Sequence, residues 1–162
     1  MTELQLTRSP HDRRLYLLGD LGTLRLEGLL SRSAEAEAGA RSWRFTRRGV
    51  FTARAEATDL AGTVVGQFEP RAVRRGGTVA WAGRGFELGP ASAWRERYSL
   101  SDAGRELAIF DGKGWGRTPV RVSIDDTATL EPALVLFVAF VVRGLADDAG
   151  GAAVVASTAA TS

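Results

Sequence analysis

The stretch from Glu131 to Asp148 reads EPALVLFVAFVVRGLADD and decides the fold of this chain. Between Pro132 and Val142 it contains no charged or polar side chain. A helix that spans a bilayer needs about 20 apolar residues, and this run is roughly half as long. In a longer span Arg143 and the two aspartates would lie at membrane depth, at a cost of at least ~2.5 kcal/mol each. The stretch therefore predicts a core element and argues against a membrane anchor.

The valine-rich composition also suits a buried strand, but the ends of the run favour a helix. Pro132 fits a first helical position and leaves Glu131 in a cap role. Gly144 fits the left-handed position after a helix end, with Arg143 beside the last carbonyls. We predict a central helix over residues 130–146. A helix that is apolar on every face must be enclosed on every face, and its ~18 Å matches strands of five to six residues.

The chain before this helix consists of short segments in which apolar and polar residues alternate. In Ser42–Arg47, for example, Trp43 and Phe45 fall on one face and Arg44 on the other. Two similar segments, each an Asp-x-(x)-Gly turn followed by a strand that ends on Phe, begin near Asp59 and Asp102 and are typical of hairpins. About a dozen strands at this spacing predict a sandwich or a barrel, with the sheet curled around the helix. The small, acidic segment 33–40 is predicted to be a surface loop or one exposed helical turn.

Length and composition predict one domain over residues 1–148 and a flexible, low-complexity tail over residues 149–162. The absence of Cys excludes disulfides and thiolate metal sites. The first residues lack the apolar segment of a signal peptide, so we expect a cytoplasmic protein, with a peripheral place at the membrane left open. The net charge of +2 is too small to argue for a nucleic-acid partner.

The two hairpins Asp59–Val64 and Tyr98–Leu107, the strand that ends at Ile124 and the closing segment Leu130–Phe137 resemble the tubby C-terminal-like superfamily. This superfamily includes tubby domains, LURP-one-related proteins and phospholipid scramblases. The segment Trp115–Val120 is similar to that of uncharacterised bacterial proteins of this kind. The resemblance implies a mainly β fold, a closed antiparallel barrel of about twelve strands that encloses a hydrophobic C-terminal α-helix.

The resemblance implies little about activity. Tubby domains bind phosphoinositide headgroups through Lys and Arg, but no such site matches this chain residue by residue. Scramblases carry a Cys-rich palmitoylation segment and a metal-binding stretch, and this chain has no Cys and no acidic loop like that stretch. Lipid transport is therefore not implied.

Several short motifs suggest chemistry, but each has a simpler structural explanation. The segment Gly112–Gly116 resembles a phosphate loop but lacks the Walker spacing, so we predict a hairpin loop. The pairs Asp125–Asp126 and Asp147–Asp148 offer oxygen ligands for a hard cation, but they flank the helix and are predicted to be solvated ends. A Ser-His or His-metal arrangement would depend on His11, the one His, in an N-terminal turn. We predict no catalytic residue, no metal site and no cofactor.

The four tryptophans, Trp43, Trp81, Trp94 and Trp115, alternate with charged or small residues. Aromatic side chains beside arginines form stacking platforms in nucleic-acid-binding proteins. Large aromatic side chains also fill the space between a barrel and an enclosed helix. We favour the second interpretation, and a nucleic-acid partner is not expected.

Two arginine groups give the one site hypothesis of the sequence. One hairpin contains the first group and a turn after Pro70 contains the second: Arg44, Arg47 and Arg48, then Arg71, Arg74 and Arg75. If the groups meet in space, they form an anion- or lipid-binding patch, because guanidinium groups bind phosphate in a bidentate manner. If they lie apart, they are ordinary solubilising charges.

These observations leave three classes of function open. The first is a non-catalytic binding module that recognises an anionic phospholipid headgroup or a protein partner at a membrane surface. The second is a small-ligand-binding barrel with a ligand at its mouth. The third is an enzyme whose site is not recognisable from the sequence. A filled barrel interior would argue against an internal ligand.

Overall fold

The computed structural model describes residues 1–28, 31–49, 53–113 and 116–159, and it contains twelve strands and one helix. The strands are β1 (Thr2–Arg8), β2 (Leu15–Leu18), β3 (Gly22–Glu27), β4 (Ser33–Ala38), β5 (Arg41–Arg48), β6 (Arg54–Asp59), β7 (Val64–Pro70), β8 (Gly77–Trp81), β9 (Arg84–Pro90), β10 (Glu96–Asp102), β11 (Arg105–Gly112) and β12 (Val120–Ile124). The helix is α1 (Pro132–Ala159).

Each strand pairs antiparallel with the next along the chain, and β1 pairs with β12 to close the barrel. In the closing pair Thr2 lies opposite Ile124 and Leu6 lies opposite Val120. Closure leaves no strand edge unpaired, which removes the main aggregation hazard of an open sheet. The predicted closed antiparallel barrel around a hydrophobic helix is confirmed.

Helix α1 runs through the barrel and fills it. From Ala133 to Val142 no residue exposes more than 3% of its surface. Phe137 packs edge-on against Phe45 with ring centroids 5.2 Å apart, and it also contacts Trp81 at 5.6 Å. Burial of a large apolar side chain stabilises the fold by ~1.5–3 kcal/mol, so this run contributes a large share of the stability.

The start of the helix lies where the sequence predicts it. Pro132 is the first helical residue, and the carbonyl of Glu131 accepts the N–H of Val135 at 3.2 Å. The Glu131 carboxylate accepts a bond from the indole N–H of Trp81 at 2.8 Å. The cap residue therefore also ties the helix start to β8.

The predicted end of the helix is wrong. Gly144 does not adopt a positive φ, and the helix continues to Ala159 through most of the segment predicted as a flexible tail. The reason for a glycine here is space, because a Cβ atom would lie 3.0 Å from the guanidinium carbon of Arg47. The glycine lets Arg47 enter between the helix and the barrel wall.

The prediction for residues 33–40 is also wrong, because most of this segment is β4. Ala34 and Ala36 are fully buried, while Glu35 and Glu37 lie on the outer side of the strand. Alanine and glutamate have low β propensity, but Ala36 lies opposite Leu24 and Trp43 in the neighbouring strands. The small alanines leave room for the helix, so packing decides against local propensity.

Candidate anion-binding rim

The two ends of the barrel differ in charge. The loops β1–β2, β3–β4, β5–β6, β7–β8, β9–β10 and β11–β12 all lie at the end where the helix leaves, because neighbouring strands are antiparallel. These six loops contain nine basic residues and one acidic residue, Asp12. We call this end the basic rim. The loops at the other end, with the β12–α1 connection, contain four acidic residues and no Lys or Arg, and we call that end the acidic rim.

The basic rim also carries the two most exposed large apolar side chains of the described residues. Val73 in the β7–β8 loop and Trp94 in the β9–β10 loop are both 95% exposed. Both loops also contain arginines, so exposed apolar and basic side chains share this end of the barrel. Tryptophan in particular is enriched where an apolar phase meets a wet one.

The tryptophan prediction is therefore only partly correct. Trp43 and Trp81 are buried against the helix region, as predicted. Trp94 instead points into solvent, because the loop after Pro90 takes it off the β10 strand that begins at Glu96. Trp115 lies outside the described residues.

The first predicted arginine group lies on β5, and its members face different directions. Arg44 lies on the outer wall and pairs with Glu27 at 2.7 Å, and Arg48 pairs with Glu56 at 3.4 Å. Arg47 follows the inward positions of Trp43 and Phe45, and it pairs with Asp148 on the helix.

The second predicted group lies in the β7–β8 loop of the basic rim. Arg71 pairs with Glu87 at 3.3 Å. Among the described residues Arg74 makes no ion pair within 4.0 Å. These arginines line a surface cavity of about 330 Å³ with Leu145 and Ala149 of the helix.

Arg75 has a structural role in this loop. Its guanidinium donates to the carbonyls of Ser92 at 3.1 Å and Arg95 at 2.7 Å, and it pairs with Glu96 at 2.9 Å. Glu96 also accepts the Tyr98 hydroxyl at 2.5 Å. Burial, reinforced by that bond, raises the pKa of Tyr98 to about 12. This arrangement, which we call the Arg75 clamp, fixes the β7–β8 loop against the β9–β10 loop.

The structure thus brings Arg47, Arg71, Arg74 and Arg75 to one rim, around the helix as it leaves the barrel. It leaves Arg44 on the outer wall. The arginines near the helix also meet Asp147 and Asp148, which pair with Arg143 and Arg47. Burial raises the pKa of Asp147, while Arg143 and Arg47 oppose that change.

Three basic residues that the sequence did not single out lie together at the same rim. Arg8, Arg13 and Arg117 line one pocket with Thr7, Ser9 and Pro10. Arg8 and Arg117 are far apart in the sequence, and they meet because β1 pairs with β12. From the sequence, these residues could be grouped only by predicting that β1 pairs with β12.

The remaining sequence motifs have structural roles. Asp126 pairs with the N-terminal amine, and Asp125 accepts bonds from Thr127; these contacts hold the pKa of each carboxyl below its usual value. His11 is exposed, and its backbone N–H donates to Ser9 Oγ at 3.2 Å. The Lys113 N–H donates to the Pro119 carbonyl at 2.7 Å, while residues 114 and 115 of that predicted loop lie outside the described residues.

Within the described parts of the chain, no group of three His, Cys, Asp or Glu side chains is arranged to hold a metal ion. In the same residues, no helix combines the length and the apolar character needed to cross a membrane. Comparisons of the chain with protein-family models, with curated proteins and with solved structures gave no match.

Proposed function

We propose that this protein is a non-catalytic binding module that docks with its basic rim on an anionic phospholipid surface. One observation carries the proposal: Val73 and Trp94 project from the same rim that holds nine of the basic residues. In this proposal the protein works in the cytoplasm, at the periphery of a membrane whose cytoplasmic leaflet is negatively charged.

The two kinds of side chain act on different layers of a membrane. Each basic residue near an anionic leaflet contributes about 1 kcal/mol, an attraction that salt screens. Trp94 and Val73 enter the interfacial layer and lose apolar area to it. The Arg75 clamp holds their two loops together, so less conformational entropy is lost on docking.

The helix adds a third element to the same rim. Asp147 and Asp148 lie where α1 leaves the barrel, and residues 149–159 contain no charged side chain. A helix that continues from a basic rim without charge suits contact with a membrane interface. The twelve strands closed around one helix also support our proposal that the chain is related to the tubby C-terminal-like superfamily.

The structure favours this function over a ligand inside the barrel and over an enzyme. The helix fills the barrel, which argues against a small ligand held inside it. Catalytic sites bring together titratable groups with perturbed pKa values in a cleft. Here the side chain with the largest shift, Tyr98, belongs to the structural Arg75 clamp.

A sedimentation assay with vesicles tests the proposal. We expect binding to vesicles that contain phosphatidylglycerol, weaker binding at high salt, and no binding to pure phosphatidylcholine. Trp94→Ser should lower the affinity roughly 30-fold, as expected for the loss of ~2 kcal/mol of apolar burial. The matched control is Leu60→Ser, because Leu60 is 84% exposed at the acidic rim.

Equal losses in the two variants would contradict docking by the basic rim. Binding that needs no anionic lipid would contradict the electrostatic part of the proposal. Absence of vesicle binding, together with capture of an acidic protein by the wild type but not by Trp94→Ser, would assign the rim to a protein partner.

A further inference from the structure

A pocket at the point where the barrel closes contains three arginines without a counter-charge. The pocket has a volume of about 610 Å³ and is lined by Thr7, Arg8, Ser9, Pro10, Arg13 and Arg117. None of these residues is acidic. Across the described residues, neither Arg8 nor Arg13 nor Arg117 has an ion-pair partner within 4.0 Å.

The barrel fixes these residues side by side. Leu4, Leu6 and Arg8 are alternate residues of β1, so Arg8 continues the inward face of the strand at the rim and is partly buried. Its backbone N–H donates to the carbonyl of Arg117 at 2.8 Å, which holds the β11–β12 loop against the end of β1. Arg13 reaches the same pocket from the β1–β2 loop.

The one acidic residue of the six basic-rim loops does not neutralise this pocket. Asp12 accepts the backbone N–H of Arg14 at 2.9 Å, and its other oxygen pairs with Arg25 on β3. These contacts hold the pKa of Asp12 below its usual value. The carboxylate is therefore bonded to Arg14 and Arg25, and it makes no ion pair within 4.0 Å with any of the three pocket arginines.

Arg47, at the same rim, is an arginine whose charge is neutralised by a carboxylate. It also ends an inward-facing row of β-strand residues, and Asp148 of the helix neutralises it. Arg8 occupies the equivalent place on β1 and has no such partner. Three guanidinium groups around one pocket repel each other, and a bound anion of matching charge relieves that repulsion.

We propose that this pocket binds the dianion of a phosphomonoester. A phosphate group with three terminal oxygens accepts paired bonds from several guanidinium groups at once, as a singly charged carboxylate does not. Ser9 accepts the His11 N–H with its Oγ, so its own hydroxyl hydrogen remains to be donated to the ligand. The pocket volume of about 610 Å³ leaves room for an organic group beside the phosphate.

The phosphomonoester has two sources, a lipid headgroup or a small metabolite, and the proposal holds for either. Arg13 and Arg117 also belong to the nine basic residues of the rim, so vesicles alone would not separate this proposal from membrane docking. The first experiment therefore uses no membrane. Phenyl phosphate is the probe, phenyl sulfate is its singly charged isostere, and binding to the full chain is measured by calorimetry.

We expect phenyl phosphate to bind at least ~10-fold more tightly than phenyl sulfate, because charge-assisted bidentate pairs strengthen with ligand charge. The affinity should fall from pH 8 to pH 5.5, because the second ionisation of a phosphomonoester lies near pH 6. The double variant Arg13→Gln/Arg117→Gln should bind at least ~10-fold more weakly. Arg14→Gln, a change next to the pocket, should bind as the wild type does.

Three results would overturn the proposal: no binding of phenyl phosphate at millimolar concentration, equal affinity for phenyl sulfate, or unchanged affinity in the double variant. Both substituted arginines are exposed, so the double variant is expected to fold, and its circular dichroism spectrum checks this. Arg8→Lys adds a separate test, because it keeps the charge but removes bidentate binding.

A second experiment identifies the source of the phosphate. Vesicles with phosphatidic acid, a phosphomonoester lipid, are compared with phosphatidylglycerol vesicles of equal surface charge. The double variant should bind both kinds of vesicle more weakly, because it lacks two rim charges. If it also loses a preference for phosphatidic acid that the wild type shows, the pocket is assigned to a headgroup. Equal binding to both vesicles, with phenyl phosphate bound in solution, assigns the pocket to a metabolite. Absence of vesicle binding by the wild type would contradict rim docking and leave the phenyl phosphate result intact.

Discussion

The basic rim and the acidic rim end the same twelve strands, but their loops differ in length and composition. At the acidic rim, three of the strand connections have two residues: 39–40, 82–83 and 103–104. At the basic rim, every connection has at least five residues. Longer loops lose more entropy on closure, and closing the barrel does not require them. The acidic rim therefore closes the barrel with short connections, whereas the longer loops of the basic rim carry the proposed docking surface.

The charges follow the same division. Basic residues accumulate in the loops that follow odd-numbered strands, and acidic residues in those that follow even-numbered strands. The total of +2 hides this separation, because the acidic rim, together with a small acidic excess in the strands and the helix, offsets most of the positive charge of the basic rim. Net charge therefore gives no guide to the partner of this chain, whereas the loop assignment does.

A charge placed in the middle of the helix should have the largest effect, because both rims depend on the filled barrel. Leu136 is fully buried. Leu136→Asp should cost more than about 4 kcal/mol, since it buries a carboxylate without a partner, and the chain should fail to fold. Circular dichroism and gel filtration measure this, with Leu136→Met, which keeps the volume, as the control. A folded Leu136→Asp protein would mean that the helix core is not dry.

Reversal of charge at one rim should separate the two ends functionally. Arg74→Glu/Arg95→Glu at the basic rim should weaken binding to anionic vesicles by ~3 kcal/mol, roughly 100-fold. Arg84→Glu/Arg105→Glu changes the net charge equally at strand ends near the acidic rim, so it is the matched control. Vesicle sedimentation at low and high salt measures both variants. If the two variants lose the same affinity, net charge and not rim geometry governs binding.

The sequence predicts the strands and the central helix because the alternation of apolar and polar residues and the length of the apolar run are local features. Trp43 and Phe45 on one face of β5, and the uncharged run after Pro132, are visible without any structure. Residues 33–40 were mispredicted because alanine and glutamate have weak β propensity, and the neighbouring strands of β4 are needed to recognise it. Gly144 was mispredicted because a glycine that ends a helix and one that admits a side chain look alike.

The candidate sites depend on contacts that the sequence does not show. Arg74 and Arg75 are adjacent in the sequence, and both are predicted members of the anion-binding patch. Arg75, however, is bonded to two carbonyls and to Glu96, whereas Arg74 makes no ion pair within the described chain. The pocket of Arg8 and Arg117 arises from the one strand pair that joins the two ends of the sheet. Long-range register is set by the whole barrel, so no short motif contains it.

The Arg75 clamp should make the basic rim sensitive to alkaline pH. The folded pKa of Tyr98, about 12, lies above the ordinary value of 10, so the native state holds its proton longer than the unfolded chain. The stabilisation that the protonated Tyr98 hydroxyl gives to the folded state is therefore complete below pH 10 and is lost as the pH rises towards 12. The wild type should therefore lose about 2 kcal/mol of unfolding free energy between pH 9 and pH 12 that Tyr98→Phe does not lose. Urea unfolding measures this, and parallel curves for the two proteins would contradict a buried Tyr98 hydroxyl.

The smallest expected effect concerns the tight turns of the acidic rim. Ala103 has a φ of 48° and Gly104 a φ of 81°, and both lie in the two-residue connection between β10 and β11. A hairpin turn with positive φ at both positions favours Asn-Gly, and alanine in this conformation costs ~1–2 kcal/mol. Ala103→Asn should therefore stabilise the protein by about 0.5–1 kcal/mol in urea unfolding and leave vesicle binding unchanged.

Ala61→Asn, at the same rim but without a positive φ, is the control. An equal gain from Ala61→Asn would show that the benefit does not come from backbone strain. A change in vesicle binding with Ala103→Asn would show that the acidic rim takes part in docking.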